Sequence, residues 1–486
     1  MTECTQCKRR FRADHLVKEQ TGTETEGLRL DRLGDLQREK NVKCPECGGA
    51  LGAPHHFLTM FKTSIGPYGE DPAYGRPEAA QGIFVNFRRI LEVVRERFPV
   101  GIAQVGTALR NEISPRQGPI RLREFTIMDF ELFFDPEEPD CPYFKEVEGE
   151  KLAIVAEKTR SEGKEELTEL SAAEALHRKL IKTPWAAYFM SLSKRFLSEL
   201  GIDEKNQRFL EKLPSERAHY SAQTFDHEVR LDRWGWVEVA GFACRKDYDL
   251  RRHMEATGVD MRVFKPYEKP VERTIVSIKP RHERIRQLFG KDAGKIAKIL
   301  ASEDLGDLLK TRKQGIVQIG DYMIPEDCFE TRTEKVKESG SRFIPHVVEP
   351  SFGVERLVYA TLEYNLRMKE DRLVLSLPFR LAPIQVSVFP LVNRDGLQEK
   401  ATQVCKFLLA NGFRTDYDEA GSIGRRYARA DEAGIPLGVT VDYDTLRDDT
   451  VTMRDRDTWS QTRTPVNQLK LAIEKIAREG FPEHLQ

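Results

Sequence analysis

Residues 109–134 read LRNEISPRQGPIRLREFTIMDFELFF. An Arg-Asn-Glu triplet is followed by a loop carrying Pro and Gly, and then by a return stretch that spaces Arg121, Phe125 and Asp129 at intervals of four. The pattern predicts a hairpin, and side chains on a strand alternate between its two faces. Counted from Arg121, one face shows Arg121, Arg123, Phe125, Ile127, Asp129 and Glu131. The other shows Leu122, Glu124, Thr126, Met128, Phe130, Leu132 and Phe134, which is mostly apolar and suited to a core. The first face sets guanidinium groups at one end, an aromatic ring in the middle and carboxylates at the other end, over roughly 30 Å. A ligand of matching order carries phosphates, a flat heterocycle and an ammonium group, because Arg forks bind phosphate oxygens in pairs and aromatic faces accept a base by stacking. On periodicity alone the same face also fits an exposed amphipathic strand with cross-strand ion pairs.

The chain around this hairpin has 486 residues, enough for two to four domains that each bury a core. It is 40% hydrophobic and 32% charged, as ordinary soluble proteins are. No apolar run approaches the roughly 18 residues of a membrane span. The opening MTECTQCKRRFR has no apolar secretory region, so a cytoplasmic location is expected. A net charge of −1 gives no global field for a polyanion, which must instead meet local basic patches. KRRFR at 8–12 and the segment from Lys279 to Lys313 are the two candidates, and each reads more readily as a solvated face.

Four of the eight cysteines form two C-x-x-C pairs, Cys4 with Cys7 and Cys44 with Cys47. In a reducing compartment that arrangement reads as a tetrahedral thiolate zinc site, because one tight turn offers two sulfurs to one ion. The spacer, residues 8–43, is longer than the usual 15–20, and four reduced surface cysteines are the alternative. Cys141, Cys244, Cys328 and Cys405 stand alone and read as packing residues.

Further along, GIFVNFRRILEVVRERFP has apolar residues at 83, 87, 90, 91, 94 and 98, which predicts a helix closed by Pro99. Residues from about 145 to 218 read as a charged, helical insertion with an apolar face in AAYFMSLSKRFLSEL. Strand patterns resume in HEVRLDRWGWVEVAGFA, and a second variable stretch at about 257–343 precedes PHVVEPSFGVERL. Beyond a linker near 373–382, LPFRLAPIQVSVFPLV, a helix ending at ANGF, FRTDYD, GSIGRRYARADEAGIP and LGVTVDYD alternate strand with helix, which predicts a separate α/β domain.

Arg110-x-Glu112, a loop, and Arg121-x-x-x-Phe125-x-x-x-Asp129 resemble motif 2 of class II aminoacyl-tRNA synthetases. Gly353-Val354-Glu355-Arg356, opening an apolar helix, resembles motif 3. The wording is narrower still. YGRPEAAQGIFVNF, ALRNEISPRQGPIRLREF, VEVAGFACRKDYDL, VVEPSFGVERL and the tail GSIGRRYARADEAGIPLGVTVDYDTL are similar to glycyl-tRNA synthetase of the archaeal and eukaryotic dimeric type, over almost the whole chain. The resemblance implies an α+β catalytic domain with an antiparallel sheet at 57–376, carrying the insertions at about 145–218 and 257–343. It also implies an α/β anticodon-binding domain at 377–486, with a small zinc-ribbon-like element at 1–56.

The implied reaction has two steps: glycine attacks the α-phosphate of ATP, and the terminal ribose hydroxyl of tRNA(Gly) then takes the glycyl group. Positioning and charge stabilisation would supply the rate. By resemblance, Arg110 and Arg356 are the catalytic cations, at the α- and γ-phosphates. The ATP-binding set is Arg110, Asn111, Glu112, Arg121, Leu122, Arg123, Glu124, Phe125, Glu238, Val239, Gly353, Val354, Glu355 and Arg356, with Phe125 stacking on adenine and Glu238 a ligand of Mg²⁺. The glycine set is Arg76, Glu78, Phe125, Thr126, Ile127, Met128, Asp129, Glu349, Pro350, Ser351, Phe352 and Gly353, in which Glu78, Asp129, Glu349 and Ser351 face the ammonium. Walls close around the α-carbon would reject larger amino acids, so no editing domain is expected. Arg425, Arg426 and Arg429 fall where either an exposed helix face or an anticodon contact would lie.

Some positions depart from the family pattern. Leu109 stands where motif 2 usually has an aromatic residue, Gly75 and Ala79 replace residues more often Leu and Thr, and Asp129 is shorter than the usual Glu. Relatives of this type carry motif 1, which builds the homodimer and braces the site, ahead of the C-x-x-C element. A protein of residues 1–486 is therefore expected to be poorly soluble and weakly active, with an apolar sheet edge uncovered. Two other readings compete: another class II synthetase, for proline, threonine or histidine, and a non-catalytic synthetase-like subunit that binds nucleic acid. The latter kind loses the phosphate-binding arginines, which are present here. GKDAGK at 290–295 lacks the spacing of a phosphate loop.

Overall fold

The quoted hairpin forms β1 (Val100–Leu109) and β2 (Glu124–Phe134), antiparallel from Val100 opposite Phe133 to Leu109 opposite Glu124. A computed structural model describes residues 1–23, 25, 28–112, 115, 117–300, 316–319 and 322–481. The hairpin is one end of an eight-stranded sheet completed by β3 (Lys151–Val155), β4 (Leu167–Ser171), β5 (Gln207–Glu211), β6 (Thr224–Leu231), β7 (Gly235–Lys246) and β8 (His346–Gly353). The spatial order is β1-β2-β8-β7-β6-β5-β3-β4, antiparallel except between β3 and β5. Among the described residues no helix is long and apolar enough to cross a membrane.

The two faces of β2 do different work. Leu132 and Phe134 enter the main core with Leu152, Ile154, Phe209, Phe225, Phe242 and Val348. The helix Pro184–Glu199 closes that core with Trp185, Ala186, Ala187 and Met190. It starts cleanly because the Thr183 hydroxyl accepts the Ala186 N–H (3.0 Å) and Pro184 needs no N–H partner. On the opposite face Phe133 is fully buried between Phe84 and Phe87 of the helix Ala80–Val93, with ring centroids 5.8 and 4.4 Å away. Burial of such a ring contributes about 1.5–3 kcal/mol. That helix therefore seals the far end of the face on which Asp129 and Glu131 lie.

One expectation needs correction here, and one segment holds more than was expected. The helix expected to run to Pro99 stops at Val93, because Arg95 and Glu96 turn into left-handed backbone and the Glu96 N–H returns to the Leu91 carbonyl (2.8 Å). The segment 145–218 is helical in part, through Ala172–His177 and Pro184–Glu199, and it also supplies β3, β4 and β5 to the sheet, which its sequence did not show. Its strands are only five residues long and set among charged residues, so their alternation is too brief to stand out.

In the amino-terminal element the long spacer holds two helices, Ala13–Thr21 and Leu30–Glu39, which pack through Leu16, Val17, Leu33 and Leu36. The carboxy-terminal domain has a mixed sheet of β9 (Val386–Pro390), β10 (Thr415–Tyr417), β11 (Leu437–Val441), β12 (Thr450–Asp455) and β13 (Gln461–Pro465), in the order β10-β9-β11-β12-β13. Its helix Leu397–Ala410 buries Leu397, Ala401, Val404 and Leu408 against Val386, Val388, Leu437 and Val439. Residues Asp260–Ile344 form a unit of their own. Within it, Val263–Pro280 pairs with Phe329–Phe343, and two short helices bury Ile285, Ile296 and Leu300 with Val317 and Ile324. Of the basic segment from Lys279 to Lys313, residues 301–313 lie outside the described residues, while Arg281 pairs with Glu330 (3.0 Å) and Arg284 with Asp327 (2.8 Å).

Candidate active site

The return strand begins only at Glu124, so strict alternation does not extend back to Arg121. Gly118–Ile120 form a single tight turn, and the loop closes where the Arg110 N–H meets the Arg123 carbonyl (2.8 Å). Arg121 and Leu122 therefore both face one cavity, together with Arg110, Glu112, Phe125 and Ile127. β7 adds Glu238, Val239, Ala240 and Gly241, and β8 with the helix behind it adds Ser351, Phe352, Gly353, Glu355 and Arg356. Strand pairing brings these segments together. Asp129 lies opposite Ser351, and Ser351 opposite Gly241.

Several expected residues have defined local roles. The Arg110 guanidinium lies 5.1 Å from the centroid of the Phe125 ring, and its Nε donates to the Pro77 carbonyl (3.0 Å). Arg356 opens the helix Val354–Asn365. Its Nε donates to the Ile120 carbonyl (3.0 Å), and its Nη1 to the Glu238 carbonyl (2.7 Å) and carboxylate (3.4 Å). Glu355 does not point a free carboxylate at a ligand, since its two oxygens accept the Thr126 N–H at 2.9 and 3.0 Å and tie motif 3 to β2. Arg76 donates to the Thr107 carbonyl (2.8 Å) and lies over Gly106, where a Cβ would stand 2.5 Å from its Nη2. Asn111 binds the Leu58 and Thr59 carbonyls, and Arg123 the Glu112 carbonyl (3.3 Å). Glu124, Thr126, Met128, Pro350 and Val354 do not line the cavity, and Met128 packs into the core beneath it.

Behind the cavity lies a cluster of acids around one arginine. Arg245, fully buried, donates to both carboxylate oxygens of Asp249 (2.8 and 2.9 Å) and to Glu349 (2.8 Å), while its guanidinium stacks 3.8 Å from the Tyr220 ring centroid. Asp129 and Glu131 are buried too, yet none of their four carboxyl oxygens has a hydrogen-bond partner among the described residues. Burial, then Glu349 and Glu78, pushes the Asp129 carboxyl up to about 7. Burial and Glu349 raise Glu131 well above the usual carboxylate range, and burial raises Glu349 despite Arg245. Burial and the neighbouring Glu238 likewise push Asp226 up to about 7. An ionised carboxylate without a partner is costly to bury, so burial favours the protonated forms of Asp129 and Glu131.

Sequence reasoning missed Arg245, Asp249 and Tyr220, and gave Glu131 no role. The available signal was a lone Arg closing the apolar strand VEVAGFAC. The departures at 75 and 109 explain each other: a Cβ on Gly75 would stand 2.8 Å from Leu109 Cδ1, so the small residue makes room for the aliphatic one.

The four cysteine sulfurs lie within 4.8 Å of one another. Each knuckle turns through left-handed backbone just after its second cysteine, at Lys8 and Gly48. The Cys7 backbone N–H is the main cause that lowers the Cys4 thiol to about 6. In the tail, Arg426 is buried and donates to the Pro390 and Gly421 carbonyls, so it holds the fold rather than a nucleic acid. Arg429 pairs with Asp418 (2.5 Å), and Arg425 is exposed.

An antiparallel sheet that gathers motif 2 and motif 3 residues around one cavity defines the catalytic domain of a class II aminoacyl-tRNA synthetase. The anticodon binding domain family matches residues 385–476. The chain is 45% identical to the glycine–tRNA ligase of Aeropyrum pernix, over 99% of this chain and 83% of that protein. It is 43% identical to the glycine–tRNA ligase of Thermococcus kodakarensis, over 99% and 85%. A crystal structure of prolyl-tRNA synthetase from Cryptosporidium parvum covers 87% of this chain and 62% of that one, at a TM-score of 0.49 and 14% identity. The chain belongs to the glycine–tRNA ligase family. Its activity is the ligation of glycine to tRNA.

Proposed function

We propose that the cavity joins glycine to ATP as glycyl-adenylate and that the same site then passes the glycyl group to the terminal ribose of tRNA(Gly). A glycine carboxylate oxygen bonds to the α-phosphorus as pyrophosphate leaves, and the ribose hydroxyl later displaces AMP. Arg110 neutralises the α-phosphate as its charge builds. Arg356, at a helix start, takes the γ-phosphate. Phe125 stacks on adenine once Arg110 leaves its ring for the phosphate, and Arg121, Leu122 and Val239 line the nucleotide. Glu238 would hold Mg²⁺, which supplies charge neutralisation for the triphosphate. The raised Asp226 carboxyl beside it supports a surplus of negative potential there.

Glycine offers only an ammonium and a carboxylate. Asp129, Glu349 and Glu78 bind the former, with Ser351 beside them, and Arg76 orients the latter. The observation that carries this reading is the buried Asp129 carboxyl with no protein partner among the described residues. An arriving ammonium would complete it.

Cys4, Cys7, Cys44 and Cys47 form a donor set suited to zinc, which would cross-link the element at 1–56. Residues 57–376 and 377–486 are the catalytic and anticodon-binding domains in this reading, which also includes a cytoplasmic homodimer. Glycine-dependent exchange of pyrophosphate into ATP tests it. Glycine should support exchange on the order of 10²-fold better than alanine or proline. Equal exchange with all three amino acids, or none with glycine, overturns the reading.

A further inference from the structure

The basic stretch KRRFR has no part in the adenylate site, yet the fold brings it there. A second cavity, about 720 Å³ in volume, opens beside the first and shares Arg110, Glu112 and Arg121 with it. Its opposite wall is the four-cysteine element, through Arg10, Phe11, Arg12 and His15, with Phe57 just beyond. The volume lies within the roughly 300–1,000 Å³ of pockets that enclose a small ligand, a size that suits one or two nucleotides.

The lining mixes cations with aromatic rings. Arg10 and Arg12 are exposed and held in surface ion pairs, with Glu3 (2.8 Å) and Asp14 (2.6 Å). Such pairs are individually weak, so a phosphate can take either guanidinium at little cost. The acids Asp14 and Glu19 also line the cavity and would exclude an anion that brought no base to stack. Phe11 and Phe57 both line the cavity half-buried, Phe11 packed against the core of the four-cysteine element. Cationic forks interleaved with aromatic platforms are the means by which proteins hold single-stranded nucleic acid.

We propose that the four-cysteine element forms one wall of the site for the unpaired 3′ end of tRNA, with Arg10 and Arg12 on its last phosphates and Phe57 under a base. The terminal ribose then reaches the α-phosphate region through the shared arginines Arg110 and Arg121. This rests on the ligase reading, and it accounts for a basic patch on an otherwise neutral chain.

The test compares wild type with Arg10→Ala/Arg12→Ala and with Phe57→Ala, using a full tRNA(Gly) transcript and one lacking its unpaired 3′ nucleotides. Glycine-dependent pyrophosphate exchange needs no tRNA. It should be unchanged, which also shows that the variants fold and that the ligase reading stands. The KM for full tRNA should rise about tenfold in the double variant, and the salt slope of binding should fall by about 0.7 for each phosphate no longer neutralised. The shortened tRNA should bind the double variant and wild type alike. An unchanged KM, a parallel loss of exchange, or an equal loss of affinity for the shortened tRNA would overturn the assignment.

Discussion

Two buried charge networks in this chain follow opposite rules. In the carboxy-terminal domain Arg454 and Asp431 meet in a two-point pair at 2.9 and 3.0 Å, both nearly inaccessible, and the pair balances one charge with one charge. Arg456 nearby donates to the Gly434 and Leu377 carbonyls and to Asp457. In the catalytic sheet one Arg245 serves Asp249 and Glu349, while Asp129 and Glu131 stay buried without a partner among the described residues. A network built to hold a fold is satisfied from within. Carboxyl oxygens left unsatisfied carry a cost that, in the proposed reading, the ligand would offset.

The largest expected effect tests the satisfied side. Arg454→Ala strands a buried Asp431 and should cost about 3–5 kcal/mol of stability in a denaturant melt. A loss under about 1 kcal/mol would erase the contrast. On the catalytic side Arg110→Ala should leave the melt near wild type and slow adenylate formation by about 10²–10³-fold, the cost of removing one charge-stabilising donor. Unchanged exchange rates in that variant would remove Arg110 from its assigned role.

A smaller effect follows from the protons held by the acids. The Asp129 carboxyl sits at about 7 because of burial, Glu349 and Glu78, so it ionises as pH rises through that value. In the proposed reading the ammonium of glycine stays protonated throughout, so its binding should be favoured above about pH 7 and weakened below it. The KM for glycine in the exchange reaction should climb toward tenfold for each pH unit below about 6.5. The folded state holds this proton more tightly than the unfolded chain does. The same acid therefore subtracts stability as pH rises from about 4 to 7 and adds nothing further above that. A flat KM between about pH 5.5 and 8 would show that the cluster does not titrate against its ligand.

The sequence made some of this legible and hid the rest for physical reasons. The hairpin and the alternation of the tail were readable because apolar periods and spaced cations survive in one dimension, and motif 3 was readable through its resemblance to the family. The strands Lys151–Val155 and Leu167–Ser171 were not, since five residues among charges carry too little pattern. Arg245 was marked only as a lone Arg closing the apolar strand VEVAGFAC, and its place as the hub of the acids was hidden because Glu349 comes from a strand about a hundred residues away. Gly75 and Leu109 were each noticed as departures, but only their contact shows that they compensate. Arg426 read as either part of an exposed helix face or an anticodon contact, and its burial depends on carbonyls at Pro390 and Gly421 that no spacing rule predicts.

The sharpest test is Asp129→Asn, assayed on one sample for both glycine-dependent pyrophosphate exchange and thermal unfolding. Replacing a buried, unpartnered acid with its neutral isostere should raise the KM for glycine by roughly 10²-fold, the effect of removing one charged partner, while the melting temperature stays equal or rises. An unchanged KM, or a fall in melting temperature like that of Arg454→Ala, would contradict the claim that this carboxyl is kept unpaired for the substrate.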